Sequence, residues 1–260
     1  MKRHNIFTAL VVAIMTIGSI TLVSCDKDNS LSTHESVVTP KSDVSNDAFV
    51  HEFDIAGMEH YCNGVHNGDI ESLNNDSIIG VVYGGSIYYF DNDSQFYAFC
   101  TQNGLNGLYT SNKNLDLIYA KAVELGIQDN DYEDLDDVPS AMKEYWYSIF
   151  GTEFGTIPGG NSNANARLTW ALTAYDGMSY SGSSKTCFGF TYPTLGKFNN
   201  KTTSFKVYNS GIGGIWWCHK KWYKKPRKAY WLVGLPIGMV GVPYVGDYHN
   251  NKFCSYFTVL

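Results

Sequence analysis

The sequence predicts two folded parts, a small α+β domain at residues 51–154 and an all-β domain at residues 167–260. Aromatic residues make up 15% of the chain, which also has 25 Gly, whereas charged residues make up only 17%. This composition favours short strands and turns, and it excludes a coiled coil or disorder throughout. A segment with no large apolar residue after Ile157, residues 155–166, divides the parts and predicts a linker.

The first 24 residues have the layout of a secretory signal, with Lys2 and Arg3 before an apolar run. The Leu22–Cys25 segment that ends it resembles a bacterial lipobox, which implies a bacterial lipoprotein with a lipidated Cys25. An ordinary cleavage site that contains Cys remains the alternative. The acidic Asp26–Asn29 stretch is similar to signals that send lipoproteins to the outer leaflet, so we expect a lipid-anchored protein at the outer membrane or cell surface.

Residues 25–50 are polar and lack hydrophobic periodicity, which predicts a flexible tether. No later apolar run reaches the ~18 residues that span a bilayer, so the N-terminal lipid would be the membrane contact. Export allows disulfides. Five cysteines follow Cys25, so at least one thiol stays free or pairs with another molecule.

The first part predicts a hairpin and three helices. Two apolar runs flank the turn pair Gly84-Gly85, which is typical of a β-hairpin. The first predicted helix is a run to Asn103 capped by Asp93 or Ser94. The second covers residues 115–125, capped by Asn114, and the third has Pro139 in its first turn and ends before Gly151.

Metal-binding patterns in this part are incomplete. His60, Cys62 and His66 lack the two close ligand pairs of a zinc site, which favours a surface loop. The segment that begins at Asp129 opens like a calcium loop, but Asp134 stands where that loop needs Gly. We therefore predict a solvated acidic loop at 129–137.

The second part contains a repeated aromatic pattern. Tyr175, Tyr180 and Gly182 have the spacing of a strand that folds over into a tight hairpin, where Gly takes a positive φ. This Tyr-x4-Tyr-x-Gly pattern resembles the Greek-key signature of βγ-crystallins. A second copy is expected at Trp217 and Trp222, with Lys224 in the place of the Gly.

Each hairpin is followed by a loop that resembles the βγ-crystallin calcium motif. The first loop matches every defined position, and the second has Cys in place of a hydroxyl residue, so it lacks one ligand of a second site. The resemblance implies two Greek keys packed as a sandwich with calcium at paired sites. Its candidate calcium residues are Asn199, Asn200, Lys201, Thr203 and Ser204 in the first loop and Asn250 and Asn251 in the second.

The resemblance also implies the role of each residue in the first loop. Thr203 and the carbonyls near Asn200 and Lys201 would bind calcium, Ser204 would brace the hairpin, and Asn199 would hold the loop through backbone hydrogen bonds. The oxygen ligands are neutral, which indicates weak affinity in the range of extracellular sites.

Charge is divided unevenly between the two parts. Residues 25–166 have a net charge of −18 and residues 167–260 one of +10. The second hairpin concentrates the cations Lys220, Lys221, Lys224, Lys225, Arg227 and Lys228. These cations could contact the acidic part of the same chain, or they could bind an external anionic glycan or envelope polymer, which is favoured over nucleic acid. A solvated loop without a binding partner is the third alternative.

No nucleophile elbow, zinc-protease motif or phosphate loop occurs in the sequence, so we expect no enzyme. The main hypothesis is a calcium-binding, non-catalytic binding or structural module. The alternative is a protease inhibitor or toxin-like effector, because some such proteins look like single βγ-crystallin domains.

Overall fold

Two β-sheets and three helices make up the part of the chain that the computed structural model describes. The described residues are 51–55, 62–64, 73, 76–132, 134–155, 171–209 and 213–259. All lie in the unit Asn46–Leu260. The predicted signal, tether and Cys25 lie outside the described residues, as do His60, His66 and most of the predicted linker.

Twelve strands occur in the described residues. In chain order they are β1 (His51–Glu52), β2 (Cys62–Gly64), β3 (Ile79–Tyr83), β4 (Ser86–Phe90), β5 (Ala171–Tyr175), β6 (Ser184–Phe188), β7 (Thr191–Tyr192), β8 (Ser204–Asn209), β9 (Gly214–Cys218), β10 (Arg227–Trp231), β11 (Gly238–Val242) and β12 (Ser255–Val259). The first sheet has the order β1-β11-β8-β5-β6, and the second has the order β2-β4-β3-β10-β9-β12-β7.

Strands β5 to β12 form two interlocked Greek keys. In the first key, β5, β6 and β8 lie in the first sheet, while β7 pairs with β12 in the second. In the second key, β9, β10 and β12 lie in the second sheet, while β11 pairs with β8 in the first. Each key thus gives its third strand to the sheet of the other, which relates the keys by a pseudo-twofold.

The predicted hairpin is confirmed as β3 and β4, with φ of 57° at Gly84 and 75° at Gly85. Both turn residues are left-handed, a conformation that glycine adopts without steric cost.

Three helices follow this hairpin. They are α1 (Asp93–Asn103), α2 (Asn106–Glu124) and α3 (Ser140–Phe150). The side chain of Asn92, rather than Asp93 or Ser94, caps α1 by accepting from the Gln95 backbone N–H.

Helix α2 begins nine residues before the predicted start at Leu115, so Asn114 is internal and caps nothing. The early turns are polar but buried through tertiary partners: the Asn112 side chain hydrogen-bonds to Asp93, Tyr97 and Arg227. Local patterning could not show these partners. Helices α2 and α3 end before Gly126 and Gly151, as predicted, and φ is 68° and 67° at these glycines.

The two predicted parts share a sheet and a core. Strand β3 pairs in parallel with β10, so the hairpin of the first part extends the second sheet of the Greek keys. One core lies between the sheets around Phe205, Trp217 and Tyr230. A second core lies between the helices and the outer face of the second sheet, around Trp146 and Trp216. The predicted α+β and all-β fold types are therefore correct, and the two parts pack against each other through this shared sheet and core.

Candidate metal centre

The first folded hairpin follows the pattern that the resemblance implied. Ser179 and Tyr180 have left-handed φ of 52° and 62°. Gly182 has φ of 77°, and a Cβ there would lie 2.1 Å from Oδ1 of Asp176. The Ser204 hydroxyl donates to the Gly177 carbonyl at 2.6 Å and accepts from the Tyr180 N–H at 3.0 Å, so Ser204 braces the hairpin as expected.

The second hairpin has the same bracing, shifted by one residue from the prediction. Ser255 Oγ donates to the Lys220 carbonyl and accepts from the Tyr223 N–H, at 2.7 and 3.2 Å. Tyr223 is therefore the equivalent of Tyr180, and Cys218 that of Tyr175. The predicted pair Trp217 and Trp222 was wrong.

The glycine position of the second hairpin moves with this register. Lys225 rather than Lys224 takes the place of Gly182, and it does not adopt a left-handed φ. A run of neighbouring aromatics hid the register: Trp217 faces the core between the sheets, whereas Trp216 and Cys218 face outward.

The two candidate calcium loops cross over and contact each other. Asn200 and Asn251, the second residues of the two loops, are both left-handed, with φ of 58° and 55°. The Asn200 N–H donates to the Phe253 carbonyl, and the Asn251 N–H donates to the Thr202 carbonyl. Each site is therefore composite, with groups from both loops.

We call the group around the first hydroxyl the Thr203 cluster. Thr203 Oγ1 lies 2.8 Å from Asn250 Oδ1, 3.2 Å from Asn251 Oδ1 and 3.1 Å from the Asp176 carbonyl oxygen. Thr203 is only 4% exposed. A hydroxyl has one proton, so it can donate to only one of three acceptors at a time.

This crowding of oxygens fits a cation. Calcium takes six to eight oxygen ligands, including amide and backbone carbonyls, and the Thr203 cluster offers four. The other ligands would be water. Thr203 comes from the first loop and Asn250 and Asn251 from the second, all three being among the candidate residues. The expected contribution of the carbonyls near Asn200 and Lys201 stays a prediction.

The pseudo-equivalent position has different chemistry. Cys254 is the equivalent of Thr203, and Asn200 is the equivalent of Asn251. Cys254 Sγ donates to Asn200 Oδ1 at 3.1 Å, a contact that corresponds to the one between Thr203 Oγ1 and Asn251 Oδ1. Burial raises the pKa of the Cys254 thiol to about 11, so it stays neutral at physiological pH. A neutral thiol is a poor ligand for calcium, which prefers oxygen.

The acidic loop supplies an unexpected contact to the first calcium loop. Asp131 Oδ1 accepts from Asn199 Nδ2 at 2.8 Å and from Thr194 Oγ1 at 2.7 Å, and it pairs with Lys221 Nζ at 2.9 Å. Asn199 Oδ1 accepts from the Leu195 N–H, so Asn199 holds the loop as expected. Asp131 therefore lies in a solvent-exposed acidic loop, as predicted, that also contacts the first candidate calcium loop.

Most cations of the second hairpin face the acidic part of the chain. Lys225 Nζ lies 2.7 Å from Asp93 and 3.2 Å from Asp116, and the fully buried Arg227 lies 2.8 Å from Asp116. Other contacts of the hairpin include those of Lys221 with the Asp129 carbonyl, of Lys224 with the Tyr119 ring and of buried Lys228 with the Val245 carbonyl. The solvated-loop alternative does not describe this segment, and an external polyanion would have to displace these contacts.

Three observations limit other chemistries in the described part of the chain. No cluster of three or more His, Cys, Asp or Glu residues is arranged to hold a metal ion there. None of the helices described is long and apolar enough to cross a membrane. Four described cysteines, Cys100, Cys187, Cys218 and Cys254, are buried free thiols.

Strand exchange, braced hairpins and crossed loops together define residues 171–259 as a βγ-crystallin-like double Greek key. Solved βγ-crystallins match about a third of the chain. An archaeal βγ-crystallin is 17% identical, with 34% of this chain and 96% of that chain covered and a TM-score of 0.27. One from Ciona intestinalis is 14% identical, with 34% and 98% covered and a TM-score of 0.27. A clostrillin double mutant in complex with nickel is 22% identical, with 35% and 98% covered and a TM-score of 0.27.

No protein-family model and no curated protein match the chain.

Proposed function

We propose that the protein is a lipid-anchored binding module of the bacterial envelope or cell surface that binds one calcium ion at the Thr203 cluster and catalyses no reaction. The main support for this proposal is the buried Thr203 hydroxyl, which has a single proton but lies close to three acceptor oxygens. A calcium ion would satisfy all of these oxygens together. Neutral ligands suit the millimolar calcium of an extracellular setting.

The calcium proposal is tested by thermal unfolding of the full chain. With a Kd of ~10⁻⁴ M, 1 mM calcium should stabilise the protein by about 1.4 kcal/mol, which raises the Tm by about 3–5 °C. Thr203→Val keeps the side-chain shape but removes the hydroxyl ligand, so it should abolish the calcium-induced rise.

The pseudo-symmetry provides a matched control. Cys254 is the equivalent of Thr203 in the other half, and Cys254→Val should leave the calcium-induced rise intact. Equal rises in the wild type and Thr203→Val, or a loss confined to Cys254→Val, would contradict calcium binding at the Thr203 cluster.

Membrane attachment is tested separately, because the lipobox lies outside the described residues. In a bacterial host, wild type should incorporate labelled palmitate and fractionate with membranes, whereas Cys25→Ala should do neither. Equal partitioning of both proteins would remove the lipid anchor from the proposal and leave calcium binding unaffected.

A further inference from the structure

A pocket occupies the position that the pseudo-twofold pairs with the Thr203 cluster. It has a volume of about 230 Å³, and its lining includes Asn200, His219, Lys220, Tyr248 and Lys252. Asn200 and His219 are the equivalents of Asn251 and Asp176, which belong to the Thr203 cluster. The pocket therefore stands where a symmetric domain would place its second ion.

The charge of this position is inverted relative to the Thr203 cluster. The first folded hairpin has Asp176 and Gly177 beside the Thr203 cluster, and the second has His219 and Lys220 at the equivalent positions. In addition, the thiol of Cys254 replaces the hydroxyl ligand. These differences remove oxygen ligands and add positive charge.

The two lysines of the pocket have no ionic partner among the described residues. Lys220 and Lys252 are exposed, and neither forms a salt bridge with a described residue. Lys252 Nζ lies 4.5 Å from the centre of the Tyr248 ring, a contact that keeps the charge at the pocket. Among the described residues of the lining, Asp76 is the one carboxylate against two lysines, so these residues together have a net positive charge.

A buried histidine pair forms the base of this region. His219 Nε2 and His249 Nδ1 lie 2.8 Å apart, and the two side chains are 7% and 0% exposed. Burial, together with the charges of Lys252, Lys220 and Lys228, lowers the pKa of His219 to about 3. Burial and the charge of Lys228 also hold the pKa of His249 well below its usual range, so both imidazoles are neutral at physiological pH.

We propose that this pocket binds the phosphate or sulfate group of a ligand. Such a group has several oxygens, and the lining includes residues with donor groups from different elements: Lys220 from the second hairpin, Lys252 from the second loop and Tyr248. The thiol of Cys254 holds Asn200 Oδ1, which leaves the amide NH₂ of Asn200 to donate. The two halves of the double Greek key would then bind opposite charges.

The test is calorimetric titration of the full chain with inorganic phosphate, sulfate and acetate in the presence of a calcium chelator. We expect saturable one-to-one binding of phosphate and sulfate, with acetate weaker. Lys220→Gln/Lys252→Gln should weaken phosphate binding by about tenfold or more, which corresponds to a loss of about 1.4 kcal/mol or more, because both substitutions remove a positive charge that faces the anion.

A charge-matched control is Lys197→Gln/Lys224→Gln, which removes two exposed lysines that do not line the pocket. It should leave the affinity for phosphate within about twofold of wild type, since exposed charges at a distance are screened. Near-UV circular dichroism of both double variants checks that the aromatic core is intact.

Three outcomes would overturn the proposal: no saturable binding, equal weakening in both double variants, or acetate binding as tightly as phosphate. Thr203→Val should bind phosphate like the wild type, because it alters only the Thr203 cluster. Loss of phosphate binding and loss of calcium binding are therefore separate results.

Discussion

Asp131 links the acidic part of the chain to the first calcium loop through one carboxylate. Its side chain is 50% exposed, so its pairing with Lys221 is screened by solvent and contributes modestly. The hydrogen bonds from Asn199 and Thr194 instead fix the loop that precedes Thr203. A residue outside the Greek keys thereby positions a loop within them.

We expect Asp131→Asn to destabilise the protein by about 1 kcal/mol at most at pH 7. Burial would raise the pKa of Asp131, but hydrogen bonds from Thr194 and Lys221 and the charge of Lys221 outweigh it, so the pKa is lowered. A lowered pKa in the folded state stabilises the protein above the unfolded value of ~3.9, and this contribution is lost as the pH falls through the folded value.

Urea unfolding of the wild type and Asp131→Asn at pH 7 and at pH 2.5 measures this effect. The difference in free energy of unfolding should be present at pH 7 and nearly absent at pH 2.5. Asp136→Asn, in the same loop but without such partners, is the control. A difference that is independent of pH would contradict a role for the ionised carboxylate.

The candidate site was predictable from sequence where its residues act locally. Ser204 and Asn199 contact groups that lie a fixed distance along the motif, and the structure places both as the motif implies. The composite nature of the Thr203 cluster was not predictable, because Asn250 and Asn251 lie 47 and 48 residues away in sequence. Contacts across the pseudo-twofold leave no periodic signal in the chain.

Helix α3 shows how the helical layer is attached to the second sheet. Trp146 is fully buried, and its ring lies 5.8 Å from that of Phe257 on β12 and 6.3 Å from that of Tyr223 on the second hairpin. The next residue, Tyr147, is 59% exposed. The helix therefore contacts the Greek keys with one face.

We expect Trp146→Ala to destabilise the protein by about 3–5 kcal/mol, because the cavity would lie between the helix and the sheet. Tyr147→Ala should stay within about 0.5 kcal/mol of the wild type, since it is a surface substitution. The measurement is the free energy of unfolding in urea for both variants. Similar values for the two would indicate that α3 does not contribute to a shared core.

The shared sheet was not predictable at the level of single elements. Strand β3 was predicted as one arm of a hairpin, and its antiparallel partner β4 is its neighbour in sequence. Its parallel partner β10 lies almost 150 residues further along the chain. Such a pairing needs a long crossover connection and carries no local pattern, so the sequence predicted both parts but not their union.

Charge and burial together indicate that the Greek keys depend on the first part of the chain. The outer face of the second sheet contains buried apolar groups such as Trp216, Ala229 and Val259, which pack in the core formed with the helices. Buried Arg227 pairs with Asp116 and Asn112 of α2. Without the helices, this apolar surface would face water, which is unfavourable, and the cations would lose the acidic partners that offset their mutual repulsion.

We therefore expect a fragment of residues 167–260 to fold poorly on its own. It should bind the dye ANS, associate into oligomers and lack a cooperative unfolding transition, whereas the chain from residue 46 onward should be free of dye binding and unfold cooperatively. Adding Trp216→Ser to the fragment should lower its association by removing one large apolar group from the exposed face. The contradicting result is cooperative unfolding of the unmodified fragment at a Tm within a few degrees of that of the longer chain. The Greek keys would then be an independent domain. The helical layer would serve another purpose, such as holding Asp131 against the first candidate calcium loop.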